Sequence, residues 1–479
     1  MPRFERGTGW RARYRHGMAK DSDSIPTGRL RRTARLGGLA GGQAARSYAG
    51  RAADLTRSEE QRRAASEKRQ LQAAERVLDV LGQMKGAAMK LGQVASFVDT
   101  GALPKEAHER LEAKLAKLRD SAPRVSFEQM RKVIESDMGQ PLEDVFEEFE
   151  PEAFAAASIG QVYRARLRDG RRVAVKVQYP GIVNAVRADV QNLGMLLRVA
   201  KVLAPGMDPK AMAQEIRERL TEELDYDVEA QTHRRFARTW RGHPFVVIPD
   251  VVTELSGERV LVTEFMDGMG FEQVKELPQE ERDRFGEIIY RFFLGSLYRT
   301  RRFSADPHPG NYLLLDDGRV GFIDFGMSKR VTREQVDAEL EVMRAGIEGD
   351  SERLRIALVR MGFFGADDSV ITAARVQEHF DAAAGWYAVD REFTIDRDYV
   401  RQVMIDVGGP QSRFWELMRR QTVPPDTMFA RRMEGLTLAV LGQLEATANW
   451  HRIAREWLFD DPPATPLGEA EAGFFAAVS

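Results

Sequence analysis

The feature that most constrains the fold is a change of periodicity near residue 155. Residues 155–166, Arg172–Gln178, 246–252 and 259–265 read as strands, bounded by Gly, Asp or Pro. Two long helical stretches, 182–203 and 210–240, lie between them, and after Gly268 the pattern is mainly helical. One short hairpin interrupts that helical part, at 312–315 and 320–323, around the turn Asp316-Asp317-Gly318. A strand-rich block followed by a helical block predicts an α+β, two-lobed architecture with a ligand cleft between the lobes. Upstream, residues 1–58 are rich in Arg, Gly and Ala, have no sustained apolar period and read as flexible. Residues 59–99 turn helical, with Val77, Leu81, Met84, Ala88, Leu91 and Val94 at three- and four-residue steps, until Gly101 and Pro104 break the run. Further helices are predicted at 105–120 and Phe127–Met138. The domain reading is therefore a basic segment (1–58), a helical extension (59–125), a strand-rich lobe (126–268) and a helical lobe (269–460). Residues 461–479, with turn-forming Pro462, Pro463 and Pro466, read as a tail.

Charge is unevenly spread. Residues 1–70 carry 17 Lys/Arg against 7 Asp/Glu, whereas the remainder carries 54 against 66. The Arg-rich head is either a solvated segment or a surface for anionic lipid. The acidic body lacks a basic stripe interleaved with aromatics, so nucleic acid is not an expected partner. Zero cysteines exclude disulfides, thiolate metal sites and a cysteine nucleophile. No uncharged apolar run approaches the ~18 residues of a spanning helix, and no signal-type stretch opens the chain. A cytoplasmic location is expected, with peripheral membrane contact at most. The sequence does not reveal the oligomeric state.

Three clusters carry chemistry. Val173-Ala174-Val175-Lys176 ends an apolar strand in a lysine. Sixteen residues before it, Gly160 closes the segment Ala155-Ala156-Ala157-Ser158-Ile159-Gly160-Gln161-Val162. That segment has the spacing of a phosphate-covering G-x-G-x-x-G-x-V loop, with Ala155 and Ala157 replacing the first two glycines. A Cβ at those positions disfavours positive φ and keeps backbone and phosphate farther apart. Asp306-Pro307-His308-Pro309-Gly310-Asn311 places an Asp and an Asn five residues apart, as in a kinase catalytic loop. Asp324-Phe325-Gly326 follows thirteen residues later, as the metal-holding triplet does. Each motif alone is weak; their order and spacing together point to a nucleotide site. In the acidic stretch Glu222 to Ala230, Asp225 and Glu229 are four apart and share a helix face. Either could hold Lys176; Glu222 and Asp227 read as solvated. Lys90-Leu91-Gly92-Gln93 lies in the upstream helix, where Gly92 costs about 1 kcal/mol relative to Ala.

Together these residues resemble the UbiB/AarF family of atypical protein-kinase-like proteins, over about residues 75–330. The resemblance implies a bilobal protein-kinase-like fold with an N-terminal helical extension over the active site. It implies that the K-x-G-Q motif (Lys90, Gln93) and the E-x-D motif (Glu223, Asp225) meet near the nucleotide. It assigns Ala155, Ala157, Ser158, Gly160 and Val162 to an alanine-rich nucleotide loop and Glu229 to the pair with Lys176. Backbone groups of Glu264 and Met266 would contact adenine. Asp306 would be catalytic, with Asn311 and Asp324 binding Mg²⁺. The implied cofactors are ATP or ADP with Mg²⁺. The implied activity is ATP hydrolysis or phosphorylation of a small or lipid-like molecule, such as a quinone precursor, in isoprenoid-quinone or lipid metabolism. Ser304 departs from the His that many relatives carry two residues before the catalytic Asp, and the membrane anchor of some relatives is not recognisable. Two alternatives stand beside this reading. One is a small-molecule phosphotransferase of aminoglycoside type, which has the same Asp-to-Asn spacing. The other is a non-catalytic nucleotide-sensing scaffold.

Overall fold

The computed structural model describes residues 125–190 and 224–478, apart from 158, 367 and 409–411, together with residue 214. Lys90, Gln93, Ser158 and Glu223, the Arg-rich head and the helices expected at 59–99 and 105–120 lie outside the described residues.

The N-terminal lobe is built on an antiparallel sheet. Strand β1 (Phe146–Phe149) pairs with β3 (Gly160–Leu167), β3 with β4 (Arg172–Gln178), and β4 with β6 (Val260–Glu264). Strand β2 (Ala155–Ala157) also pairs with β3. Alternation along β4 follows the two-residue period: Val173, Val175 and Val177 are fully buried, whereas Ala174 and Lys176 lie on the opposite face. Helix α1 (Phe127–Met138) forms as its periodicity predicts and buries Met130, Val133 and Ile134 against this sheet. Gly139, at φ +70°, closes the helix in a left-handed conformation suited to glycine.

The single strand expected over 155–166 is instead a hairpin, in which Ala155 faces Val162 and Ala157 faces Gly160. Gly160 then crosses so close to β4 that a Cβ there would lie 2.0 Å from the Val177 carbonyl oxygen. Glycine is therefore required at 160 by strand-to-strand approach, a reason independent of phosphate. The strand expected over 246–252 stops after β5 (Val246–Val247), since Pro249 has no N–H to continue a ladder. Helix α2 (Ile182–Val190) occupies the start of the first long helical stretch. In the second, helix α3 (Tyr226–Thr239) begins at an Asp225 cap, whose carboxylate accepts the Asp227 N–H at 2.9 Å.

The C-terminal lobe has its own apolar core, and the two cores form separate clusters. Its first long helix, α4 (Gln279–Tyr290), runs into a π-turn at Arg291–Gly295. Strand β7 (Arg302–Ser304) pairs with β10 (Ser328–Arg330), and the predicted hairpin appears as β8 (Tyr312–Leu314) and β9 (Val320–Phe322). Strand β5 adds to β9 in parallel. Helices α5 (Arg333–Ile347), α6 (Ser351–Arg360), α7 (Ala373–Ala388), α8 (Arg397–Gly408), α9 (Pro425–Leu444) and α10 (Trp450–Leu458) complete the lobe.

Two boundaries differ from the sequence reading. Phe236, Trp240, Phe245 and Val246 belong to the C-lobe core, so α3 joins the lobes instead of belonging to one. The stretch read as a tail forms helix α11 (Pro466–Val478), with Glu471 fully buried. The three prolines precede or open the helix, where proline is tolerated; they do not mark a disordered end.

Candidate active site

Helix α3 and the Asp-Phe-Gly segment converge on Lys176. From β4 its ammonium reaches Glu229 Oε1 at 2.6 Å and Asp324 Oδ2 at 3.0 Å, and the Tyr226 ring lies 5.1 Å away. Burial alone would lower the Lys176 pKa; the Asp324 and Glu229 carboxylates more than offset it and hold the ammonium well above its ordinary value. Glu229 is buried on α3, one turn after the cap. The structure thus brings Lys176, Glu229 and Asp324 together and separates the two acids that the sequence left open. Glu229 holds the lysine, while Asp225 is committed to capping α3.

The Asp-Phe-Gly triplet is braced from α3. The buried Phe325 ring packs on Phe236 at 4.6 Å and edge-on to His233 at 4.7 Å, while Asp324 turns to the cleft. Its Oδ1 accepts the Gly326 N–H at 3.0 Å. A Cβ on Gly326 would come within 3.3 Å of Glu229 Oε2, so a small residue there lets the triplet approach the lysine's partner. Glu229, His233 and Phe236 follow a three- and four-residue step, so this stripe was readable as one helix face.

His233 is fully buried, with Nε2 at 2.8 Å from the Pro249 carbonyl. Burial pushes its pKa down to about 4, against the raising effect of that carbonyl. The unfolded chain therefore takes up a proton near pH 6.5 that the fold excludes until about pH 4. Stability is present above the unfolded value and is lost as pH falls through this window, by up to roughly 3 kcal/mol for this residue. His379, also pushed down to about 4 by burial, acts in the same direction. The urea midpoint is expected to drop clearly between pH 7 and pH 5, and a flat profile would contradict the buried neutral histidines.

The loop from Asp306 to Asn311 forms a second knot. Asp306 is buried, and its Oδ2 accepts from Asn311 Nδ2 at 3.1 Å. The same amide also reaches the Asp306 carbonyl at 3.1 Å, and the Asp306 N–H faces Ser304 Oγ at 3.4 Å. This loop is tied to the triplet by Ala305 N–H to Met327 O at 2.6 Å and Ile323 N–H to Asn311 O at 3.0 Å. Asn311 and Asp324 therefore lie on adjoining backbones and offer amide and carboxylate oxygens, a hard donor set that suits Mg²⁺.

On the loop side, Ala155 and Ala157 are paired with β3, and Val162 lies beside Lys176 across the β3–β4 ladder. In the segment joining the lobes, Glu264 accepts the Asp250 N–H through Oε2 at 3.0 Å. Met266 packs under β9, where a Cβ on Gly321 would meet its sulfur at 2.0 Å. A contact absent from the sequence reading comes from α9, whose Arg432 reaches Asp306 Oδ1 at 3.2 Å.

A five-stranded sheet and a mainly helical lobe, joined by a lysine–glutamate pair and a braced Asp-Phe-Gly triplet, define a protein-kinase-like phosphotransferase fold. The family model described as the ABC1 atypical kinase-like domain matches residues 117–358, and the chain belongs to this family, the UbiB/AarF atypical kinases. It is 29% identical over 406 residues to "Atypical kinase coq-8, mitochondrial" of Caenorhabditis elegans, covering 81% of this chain and 52% of that protein. It is 35% identical over 282 residues to "Atypical kinase COQ8B, mitochondrial" of Rattus norvegicus, covering 59% of this chain and 53% of that one. The chain thus spans about half the length of these curated relatives. Among solved structures, the complex of Rv3197 with erythromycin from Mycobacterium tuberculosis superposes with a TM-score of 0.59 at 28% identity, covering 82% of this chain and 97% of that one. Among the described residues, no helix is long and apolar enough to cross a membrane.

Proposed function

We propose that this chain binds Mg-ATP and either hydrolyses it or transfers its terminal phosphoryl group to a small or lipid-like acceptor, in support of isoprenoid-quinone or lipid metabolism. The observation that carries the reading is the Lys176 ammonium held between Glu229 and Asp324. In a phosphoryl-transfer site such a lysine meets the α- and β-phosphates while the helix glutamate orients it. Here Asp324 and Asn311 would hold Mg²⁺, which neutralises charge on the phosphates when bound. Asp306 would accept a hydrogen bond from the attacking hydroxyl or water, and backbone groups of Glu264 and Met266 would meet adenine. Ala155, Ala157, Ser158, Gly160 and Val162 would cover the nucleotide, with Lys90, Gln93, Glu223 and Asp225 at its margin. The solved complex of the Mycobacterium tuberculosis neighbour with erythromycin favours a bulky small-molecule ligand over a peptide. The COQ8-named relatives favour a quinone-related setting, and the 17 Lys/Arg against 7 Asp/Glu of residues 1–70 favour an anionic membrane as the place where such a ligand would be met.

The test is an ATPase assay titrated with anionic vesicles and with a phenolic quinone-precursor analogue, on wild type and Asp306→Asn. Turnover is expected to rise with lipid or phenol in the wild type and to fall about 100-fold or more in the variant, as for loss of a general base. Calorimetric Mg-ATP affinity should stay within about threefold in Asp306→Asn. Binding without turnover under every condition would select a nucleotide-sensing scaffold. Robust phosphorylation of a soluble hydroxylated compound without lipid response would select the aminoglycoside-type reading.

A further inference from the structure

We infer that Arg432, on helix α9, is the positioning residue for the Asp306 carboxylate. The inference rests on the reading of Asp306 as the acceptor-orienting group. The Arg432 side chain is 3% exposed and that of Asp306 10%, so the pair is shielded from water and salt. Its planar fork engages two consecutive groups of the loop: Nη2 meets Asp306 Oδ1 at 3.2 Å, and Nη1 donates to the Ala305 carbonyl. Nη1 also lies 4.0 Å from the Met327 sulfur, just beyond the Asp-Phe-Gly triplet. One guanidinium therefore spans the catalytic loop and the segment that the same loop pairs with through Ala305 and Met327.

The two carboxylate oxygens of Asp306 have different holders, Arg432 on Oδ1 and Asn311 on Oδ2. Asn311 would also meet the metal, through its amide oxygen, so its amide serves two partners. If it turns toward an ion, Oδ2 is freed toward the cleft, and Arg432 alone keeps the carboxylate plane from rotating. A buried arginine fork suits this task because its geometry is fixed and its charge is permanent. Ser304 is too short to serve in its place: its hydroxyl is 3.4 Å from the Asp306 N–H and bonds the backbone, not the carboxylate. Nothing local in the sequence marks Arg432, which stands 126 residues from its partner.

The test uses the full chain with Arg432→Lys, Arg432→Met, Asp306→Asn and the Arg432→Met/Asp306→Asn double variant. Steady-state ATPase, Mg-ATP calorimetry and urea unfolding are read on each. Arg432→Met is expected to lower kcat about 100-fold, the scale of an ångström-level misplacement, while KM for ATP moves less than about threefold. Arg432→Lys, which keeps the charge and loses the fork, should fall between the two. In the Asp306→Asn background, Arg432→Met should lower kcat no further. The urea midpoint of the double variant should be no lower than that of Arg432→Met, because the carboxylate left unpaired is gone. Wild-type kcat in Arg432→Lys together with Arg432→Met overturns the inference; if Arg432→Met does not fold, wild-type kcat in Arg432→Lys does so alone. An equal, additive loss in the Asp306→Asn background also overturns it. A wild type that binds Mg-ATP and never turns it over removes the positioning role while leaving nucleotide binding intact. A wild type that binds no Mg-ATP removes the proposed function itself, which calorimetry distinguishes from the other outcomes.

Discussion

Asp324→Asn is expected to weaken Mg-ATP binding at least 100-fold, and Lys176→Met by about tenfold, measured by calorimetry with and without excess EDTA. Asn at 324 keeps the shape of the triplet and its Oδ1 bond to Gly326 but removes the anionic oxygen. A hundredfold loss is about 2.7 kcal/mol, a reasonable scale for one charge-assisted metal contact. EDTA should erase the difference between Asp324→Asn and wild type, because what remains is metal-independent binding. Lys176→Met has a second consequence. It leaves the Glu229 and Asp324 carboxylates facing one another without the ammonium that neutralises both, and Glu229 is almost wholly buried. An unpaired buried carboxylate either takes up a proton or drives the helix away. The variant should therefore lose stability more at pH 8 than at pH 5. Unchanged Mg-ATP affinity in both variants would remove the nucleotide assignment.

Arg291→Met should destabilise the fold by about 3–5 kcal/mol, the range for breaking a buried ion pair from one side. Arg291 is fully buried at the π-turn and gathers Glu287 at 2.7 Å, Glu456 at 2.7 and 2.8 Å, and Glu471 at 3.1 Å. Thr465 adds a further acceptor at 2.9 Å. These partners come from α4, α10, α11 and the link before α11, so one guanidinium fastens the C-terminal helix to the lobe. Gly468 permits the approach: a Cβ there would lie 2.7 Å from both Arg291 Nη2 and Glu456 Oε1. Burial pushes the Glu471 pKa up, with Arg291 and Arg299 pulling the other way. His243 lies 4.0 Å from Glu471, but burial and the same two arginines push its pKa down to about 3. That approach is therefore a contact with a neutral ring and not an ion pair. Losing Arg291 leaves the buried Glu456 and Glu471 carboxylates to Arg299 alone, at 3.7 and 3.5 Å, so urea unfolding should show a clearly lower midpoint. Limited proteolysis should cut between α10 and α11. An unfolding free energy within about 0.5 kcal/mol of wild type would mean that apolar packing by Phe474 and Phe475 fixes the helix unaided.

Much of the frame was legible because it is local. Alternation of Val173, Val175 and Val177 around Ala174 and Lys176 specifies a strand with one buried face, and the Asp-Asp-Gly turn specifies the β8–β9 hairpin. The order and spacing of the motifs are enough to single out Lys176, Asp306, Asn311 and Asp324. Misreadings arose where local pattern has two outcomes. A continuous run over 155–166 and a hairpin share the same alternation, and only the close crossing at Gly160 separates them. Prolines near the C-terminus resemble those of a loose end until a buried arginine gives the following helix something to hold.

The amino-acid order alone determined that this chain would make a two-lobed α+β fold carrying the residues of a kinase-like site, since strand and helix periods and motif spacings are short-range properties. Tertiary structure decided which acid meets Lys176, what clamps Asp306, and that the final helix belongs to the core. Those outcomes rest on ion pairs spanning 53, 126, 148 and 180 residues. Charges so far apart in sequence have no period linking them; they find their partners only when burial removes water as the competing one.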